Sequence, residues 1–378
     1  MVRILCIGVW LIFSLTACKS TTAINLLNVN AIVSSKRVHS DLPVYASVQQ
    51  ALDAAPQNEQ SWRIAVYPGD YYERVIIDRA NLTLVGAGME NTRIIYGRYA
   101  GQKVSADSDE TWGTFRTATL EVNAKDVTLS HLTIENSFDY PANELLDKVD
   151  SDKVNGEQAV ALKVSQLTDR SVFNQIRLLG YQDTLYVQGG RSYFKGGEIH
   201  GHVDFIFGNG NALFEGVDII SRARMQPKKI TGYITAPSTL IENEYGLTFI
   251  RCRLLREGGV PDNSVPLGRP WHPTTTFSDG RYANPFAVGK SVFIDTFMDA
   301  HISTVGWVSM GGTSKDGSRK QFNPLTEARF FEYNSRGPGA PINPQRPQLT
   351  KQSVKRYDPN KMIAEWGNKS PEVGINKE

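Results

Sequence analysis

The feature that most restricts what this chain can fold into is a recurring step of about 21 residues in its apolar pattern. Six segments share one spacing: VTLSHLTI from Val127, SVFNQIRL from Ser171, SYFKGGEI from Ser192, ALFEGVDI from Ala212, LTFIRCRL from Leu247 and SVFIDTFM from Ser291. Their third residues are Leu129, Phe173, Phe194, Phe214, Phe249 and Phe293. Their eighth are Ile134, Leu178, Ile199, Ile219, Leu254 and Met298. From Phe173 the next two steps are 21 and 20 residues, while Leu129 to Phe173 is 44, about two such units. A unit this short cannot bury its apolar face alone, so it must stack on its neighbours. Leucine-rich repeats share the period but need a Leu and Asn ladder and regular helices, which are missing. Stacked Phe and Ile rungs fit the interior of an all-β parallel β-helix, a solenoid. A β-sandwich with strands at similar intervals is the alternative.

The solenoid is expected over residues 41–340. Ser47 to Ala55 has the helical spacing of Val48, Leu52 and Ala55 and ends near Pro56, as a short cap helix at the N-terminal end would. Residues 18–40 carry no sustained period and read as a tether. The tail, 341–378, starts Pro-rich and becomes charged, with one helical turn at Lys361 to Trp366 and no catalytic role.

Residues 1–17 read as an export signal: Arg3 supplies the positive charge and Ile4 to Leu15 the apolar stretch, too short for a membrane span. The run ends in Leu15-Thr16-Ala17-Cys18, which resembles the lipobox of bacterial lipoproteins. It implies lipidation at Cys18 and an anchor on the bacterial outer membrane. An ordinary cleaved signal, giving a periplasmic or secreted protein, is the alternative. With Cys6 lost and Cys18 acylated, only Cys252 remains, so neither an intramolecular disulfide nor a cysteine zinc cluster is expected. A net charge of +2, from 41 basic and 39 acidic residues, argues against a general nucleic-acid binder.

Two strand-like segments place an acid at matched positions: Tyr181-Gln182-Asp183-Thr184-Leu185-Tyr186 and His202-Val203-Asp204-Phe205-Ile206-Phe207-Gly208. Asp183 and Asp204 are 21 residues apart, one repeat unit. Neighbouring strands lie roughly 4.8 Å apart, so stacking brings these carboxyls side by side on one face. Two close carboxyls do not both ionise easily; one pKa rises while the other stays low. That supplies a proton donor and an anion together, the needs of an acid-plus-nucleophile mechanism. A local turn role remains the alternative for either Asp alone. In Leu267-Gly268-Arg269-Pro270-Trp271, the Arg is able to fork onto a carboxylate and the Trp to offer a flat face to a sugar. A surface Arg and a core Trp are the plainer readings. Gln158 and Gln182 are neutral donors suited to a developing oxyanion, although most Gln residues are simply solvated.

Glu157-Gln158-Ala159-Val160-Ala161-Leu162, the GYQDTLY stretch, VDFIFG and LGRPW resemble, in order, the four signature blocks of the pectin methylesterase family. Tyr67-Pro68-Gly69-Asp70-Tyr71-Tyr72-Glu73 is similar to its N-terminal block, and the likeness spans roughly residues 43–340. The resemblance implies a right-handed parallel β-helix and hydrolysis of C6 methyl esters of polygalacturonate or oligogalacturonides. By it, Asp204 corresponds to the nucleophile, Asp183 to the general acid/base, Gln158 and Gln182 to the oxyanion amides, and Arg269 to the partner of the nucleophile. Trp271 corresponds to the sugar-contacting aromatic, and Thr114, Tyr186, Phe207, Arg224, Tyr233, Thr274 and Met310 to further groove positions. Strict strand alternation sets Phe207 opposite Asp204, so its groove role requires the chain to turn at Gly208. The expected partner is methyl-esterified galacturonan, bound by a monomer without metal or organic cofactor. Some relatives join adjacent coils by a disulfide where Gly197 and Val217 stand here. Signatures of a lyase or a polygalacturonase are not found. A thioesterase-like or non-catalytic pectin-binding lipoprotein on the same scaffold is the remaining alternative.

Overall fold

The computed structural model describes residues 28–364 apart from Pro227. The expected signal, Cys18 and Trp366 lie outside the described residues. The strands form a right-handed parallel β-helix, with a 17-stranded and a 6-stranded sheet making up its walls.

The apolar columns read from the sequence are the hydrogen-bonded register. Leu129 pairs with Phe173, and Phe173, Phe194, Phe214, Phe249 and Phe293 pair in succession. Their rings stack at centroid distances of 4.4, 4.7, 4.5 and 4.5 Å, all buried. Offset stacks of this kind add about 0.5–1.5 kcal/mol per pair beyond simple burial. Ile134, Leu178, Ile199, Ile219, Leu254 and Met298 form the second column.

Three expectations are corrected. Because Leu129 pairs directly with Phe173, the 44-residue step is one coil with an excursion, not two units. The excursion holds α2, Tyr140–Leu145, and returns through Gln158. Spacing alone does not distinguish an inserted loop from a skipped rung. Second, residues 29–34 are not tether: strand Ala31–Val33 is buried and pairs with Trp62–Val66, so the first column starts at Ala31. The early rungs carry Ala31, Ile64 and Leu84 where later ones carry Phe, which hid them from a Phe-based pattern. Third, the segment after 340 is part of the packed structure. Tyr357 and Met362, the latter on α3 (Pro359–Ala364), are buried with Val172, Tyr193, Leu213, Val292 and Ile294.

Each end of the solenoid is closed. At the N-terminal end α1, Val48–Asp53, buries Val48, Ala51 and Leu52. Ser47 caps it by accepting from the Gln50 N–H, and the Glu73 carboxylate accepts from the N–H groups of Val48 and Gln49 at 2.7 and 2.9 Å. At the other end Glu332 occupies the column position next to Phe293. A carboxylate buried there needs a partner, and buried Arg346 forks onto it with two contacts of 2.7 Å.

The corner between the first two strand columns is a ladder of left-handed residues. His131, Gln175, Gly196, Gly216, Arg251, Asp295 and Asn334 all have φ between 50° and 62°. One such residue bends the chain sharply while keeping both strands in register. The third wall, Val75–Ile77, Leu120–Val122, Leu162–Val164, Leu185–Val187, Ile206–Gly208 and Thr235–Pro237, carries the candidate site.

Candidate active site

The third wall turns Leu120, Leu162, Leu185 and Ile206 inward, in register and fully buried. The alternating outward positions are Glu121, Lys163, Tyr186, Phe207 and Ala236. Glu121 and Lys163 pair at 2.9 Å. Tyr186 and Phe207 stack at 4.6 Å, and Phe115 and Trp271 pack around them. Ala236 follows Phe207 with only a methyl group, leaving a depression beside the rings. Along this face the sequence therefore changes from charged to aromatic to small, and the groove lies where it becomes small. Gly208 has φ 121°, and a Cβ there would lie 1.9 Å from the Val187 carbonyl oxygen. Only glycine permits that coil-to-coil approach.

Asp183 and Asp204 are not in strands, contrary to the reading of their segments. Each sits in the turn just before a strand, with φ 65° and 50°. A left-handed backbone at a non-glycine residue costs roughly 1–3 kcal/mol and persists only where the surroundings enforce it. Both residues sit on adjacent coils and line one pocket. The turn also removes the alternation problem for Phe207, which reaches the groove because Asp204 precedes the strand. The coils are tied at this level by the Asp183 N–H, which donates to the Val203 carbonyl at 3.1 Å.

Arg269 holds Asp204 by a fork, Nε to Oδ1 at 2.9 Å and the second nitrogen to Oδ2 at 2.5 Å. Its guanidinium lies over the Tyr233 ring, 4.0 Å from the centroid. Gly268 lets the Arg269 segment run against Thr235; a Cβ there would lie 2.2 Å from Thr235 Oγ1. The Arg269 and Trp271 N–H groups then donate to the Thr235 and Pro237 carbonyls at 3.0 and 3.1 Å. This seats both side chains over the groove.

Burial raises the pKa of Asp183 well above the ordinary carboxyl value, and the neighbouring Asp204 charge raises it further. Burial also raises Asp204, against the lowering effect of the Arg269 fork. The expectation that one of the two carboxyls stays low is corrected: desolvation lifts both groups, Asp183 well above the ordinary value. The arginine contact favours the charge on Asp204 over Asp183 within the coupled pair.

The pocket, about 230 Å³, is lined by Thr114, Phe115, Gln158, Gln182, Asp183, Asp204, Phe207, Ala236, Arg269, Trp271 and Met310. Nine of these eleven were expected from the sequence. Among the described residues, neither the Gln158 nor the Gln182 side-chain amide is engaged by a protein partner, so both remain available to a ligand.

Four expected groove residues do not line the pocket. Tyr186 is nearly buried beneath Phe115 and Phe207, and Tyr233 is covered by Arg269. Thr274 is exposed on a separate hairpin, Thr274–Phe277 with Gly280–Ala283. Arg224 is consumed by the excursion: its Nε donates to Glu144 at 2.7 Å and its second nitrogen to the Tyr140 hydroxyl at 2.6 Å. Phe115 and Ala236 were missed. Ala236 is 29 residues beyond its register partner Phe207, so the 21-residue step does not find it; adjacency to Thr114 was the only hint for Phe115.

The adjacent-coil disulfide is absent here, and Cys252 is free and buried.

Comparison with known proteins agrees with the geometry. A pectinesterase family model matches residues 38–363. Pectinesterase A of Dickeya chrysanthemi is 45% identical over 340 residues, covering 89% of this chain and 91% of that protein. A crystal structure of a pectin methylesterase in complex with a hexasaccharide superposes with a TM-score of 0.85 at 44% identity, covering 90% of this chain and 98% of the other. The pectin methylesterase of Yersinia enterocolitica gives 0.81 at 44% identity, covering 85% and 100%. A shared fold, near-complete coverage in both directions and the acid pair at one groove converge on a single assignment: the chain belongs to the pectinesterase family.

Proposed function

We propose that this carboxylic ester hydrolase demethylates galacturonan with Asp204 as nucleophile and Asp183 as general acid and base. The observation that carries this is the buried acid pair on adjacent coils, with Arg269 forked onto only one member. Asp204, held ionised and oriented, attacks the C6 carbonyl of a methyl galacturonate. Gln158 and Gln182 donate to the oxyanion of the tetrahedral intermediate. Asp183 gives its proton to the departing methanol, leaving an acyl anhydride on Asp204. It then takes a proton from water, which attacks the anhydride, releases the galacturonate carboxyl and restores Asp204. Trp271, Phe207, Thr114 and Met310 contact the sugar. Tyr186, Tyr233 and Arg224 support the groove wall rather than touch substrate.

The decisive measurement is methanol release from methylated pectin by Asp204→Ala, with circular dichroism as a check on folding. Substantial turnover by the folded variant would sink the assignment. An intact acid pair with its arginine gives no support to a degenerate or thioesterase-like reading.

A monomeric enzyme is the expectation, and sedimentation tests this. The Leu15-Thr16-Ala17-Cys18 segment supports export followed by lipid attachment at Cys18 and an outer-membrane anchor. No helix of the described residues is long and apolar enough to cross a membrane. Labelling with a radioactive fatty acid tests the anchor: label on the wild type and none on Cys18→Ser is expected. A periplasmic-facing anchor would make methylated oligogalacturonides the working substrate, because polymeric pectin does not reach that compartment.

A further inference from the structure

The catalytic turns lean on a buried histidine to which the reaction assigns no step. His202 is two residues before Asp204 and 1% exposed. The Val203 N–H donates to its Nδ1 at 2.7 Å. Nδ1 is therefore an acceptor, the ring is neutral, and its proton is on Nε2. Burial, with Arg224 and Arg222 nearby, holds the imidazole well below its ordinary pKa and keeps that acceptor available. Nε2 is itself buried and lacks a hydrogen-bond partner among the described residues. A leucine of similar bulk would avoid that unsatisfied group, so packing alone does not explain a histidine here.

What surrounds the ring is catalytic framework. It meets Tyr140 at 4.3 Å with planes 70° apart and Tyr181 at 5.4 Å. Tyr181 is two residues before Asp183, the coil equivalent of His202, and its carbonyl accepts from the His202 N–H at 2.9 Å. Val203 is the junction: its N–H is held by the imidazole, and its carbonyl accepts from the Asp183 N–H. Tyr140 belongs to α2, on the excursion that returns through Gln158. One side chain thus touches the turns of both acids and the excursion carrying an oxyanion amide.

We propose that His202 is a positioning residue for ester hydrolysis: by accepting from the Val203 N–H it fixes the left-handed turn of Asp204 and, through the Val203 carbonyl, the turn of Asp183. The inference rests on the assignment of Asp204 and Asp183 given above. Releasing the Val203 peptide lets the Asp204 carboxylate drift, and a displacement near 1 Å costs on the order of 10²-fold in rate.

Two variants separate positioning from simple packing. His202→Leu keeps apolar bulk and removes the acceptor. His202→Asn places an amide oxygen close to the position of Nδ1. With methylated pectin, His202→Leu is expected to lower kcat about 10- to 100-fold with KM within about twofold. His202→Asn is expected to recover at least half of that loss on a logarithmic scale. Thermal unfolding and binding of a methylated hexagalacturonate show whether each variant is folded. A folded His202→Leu with kcat within threefold of wild type overturns the proposal. So does equal loss of kcat in both variants in proportion to lost thermal stability, which is the mark of a structural role. An active Asp204→Ala would instead remove the underlying mechanism, so the two failures are distinguishable.

Discussion

Two of the concave surfaces along this solenoid differ sharply in size and lining, and the larger of the two is not the one that holds the acid pair. The groove on the third wall is about 230 Å³ and holds Asp183, Asp204 and Arg269. The other, about 800 Å³, lies over Asn30, Trp62, Arg63, Thr83, Ser130 and Asn174. Apart from Trp62, its strand residues are the outward positions of the first strand column, and the same column continues as Tyr193, Leu213 and Val292. Where that outer face is apolar, the C-terminal segment covers it with Tyr357 and Met362; where it is polar it stays open. The open part has a neutral lining apart from Arg63, and burial lowers the pKa of His131, favouring its uncharged form. Chemistry follows from paired ionisable groups on a constrained backbone, not from the volume of a cavity.

The sharpest test of this contrast is to remove the acids of the small groove. Asp204→Ala and Asp183→Asn should each lower methanol release by on the order of 10⁴-fold or more, with circular dichroism unchanged. Next comes Arg269→Lys, which keeps the charge but loses the fork. A drop in kcat of about 10- to 100-fold is expected, since charge-assisted bonds of this kind are worth about 1.5–3 kcal/mol. Without the fork the Asp204 pKa rises, so the acid limb of the pH–kcat profile should move to higher pH. An unmoved limb would mean that Arg269 does not set the ionisation of the pair.

A smaller effect concerns stability. Asp183 has its folded pKa raised above the ordinary 3.8. Between these values the folded state binds more protons than the unfolded one, so stability falls as pH rises from about 3.8 through the folded pKa. Asp183→Asn removes this loss. The variant should melt at higher temperature than wild type at neutral pH, and the two should converge near pH 3. A variant that melts lower at pH 7 would contradict the cause given for the shift. The smallest effect belongs to the large groove. Asn174→Ala and Ser130→Ala should leave kcat/KM within twofold, and a tenfold loss in either would break the contrast.

Much of this was legible in one dimension. Phe173 through Phe293 and Ile134 through Met298 line up as their spacing requires, because each coil repeats the same inward positions. The acid pair follows from the same arithmetic, as Asp183 and Asp204 are one unit apart. Legibility ended wherever the coil length changed. Ala31, Ile64 and Leu84 carry the column without aromatic rings, the excursion through α2 passes for a missing coil, and Ala236 lies beyond an enlarged loop. Arg224 illustrates a different limit: its type and neighbourhood suit a uronate, yet Glu144, 80 residues away, already occupies it.

By itself, the sequence determined the periodic skeleton, the inward columns and the placing of two carboxyls on neighbouring coils, because these depend on spacing alone. The tertiary structure decided which carboxyl is paired with an arginine, which aromatic residues reach the groove and which cation is already occupied by a partner. Those properties depend on desolvation, on the left-handed turns at Asp183 and Asp204, and on partners such as Arg269 brought from 65 residues away. Chain packing sets all three, and no local pattern encodes them.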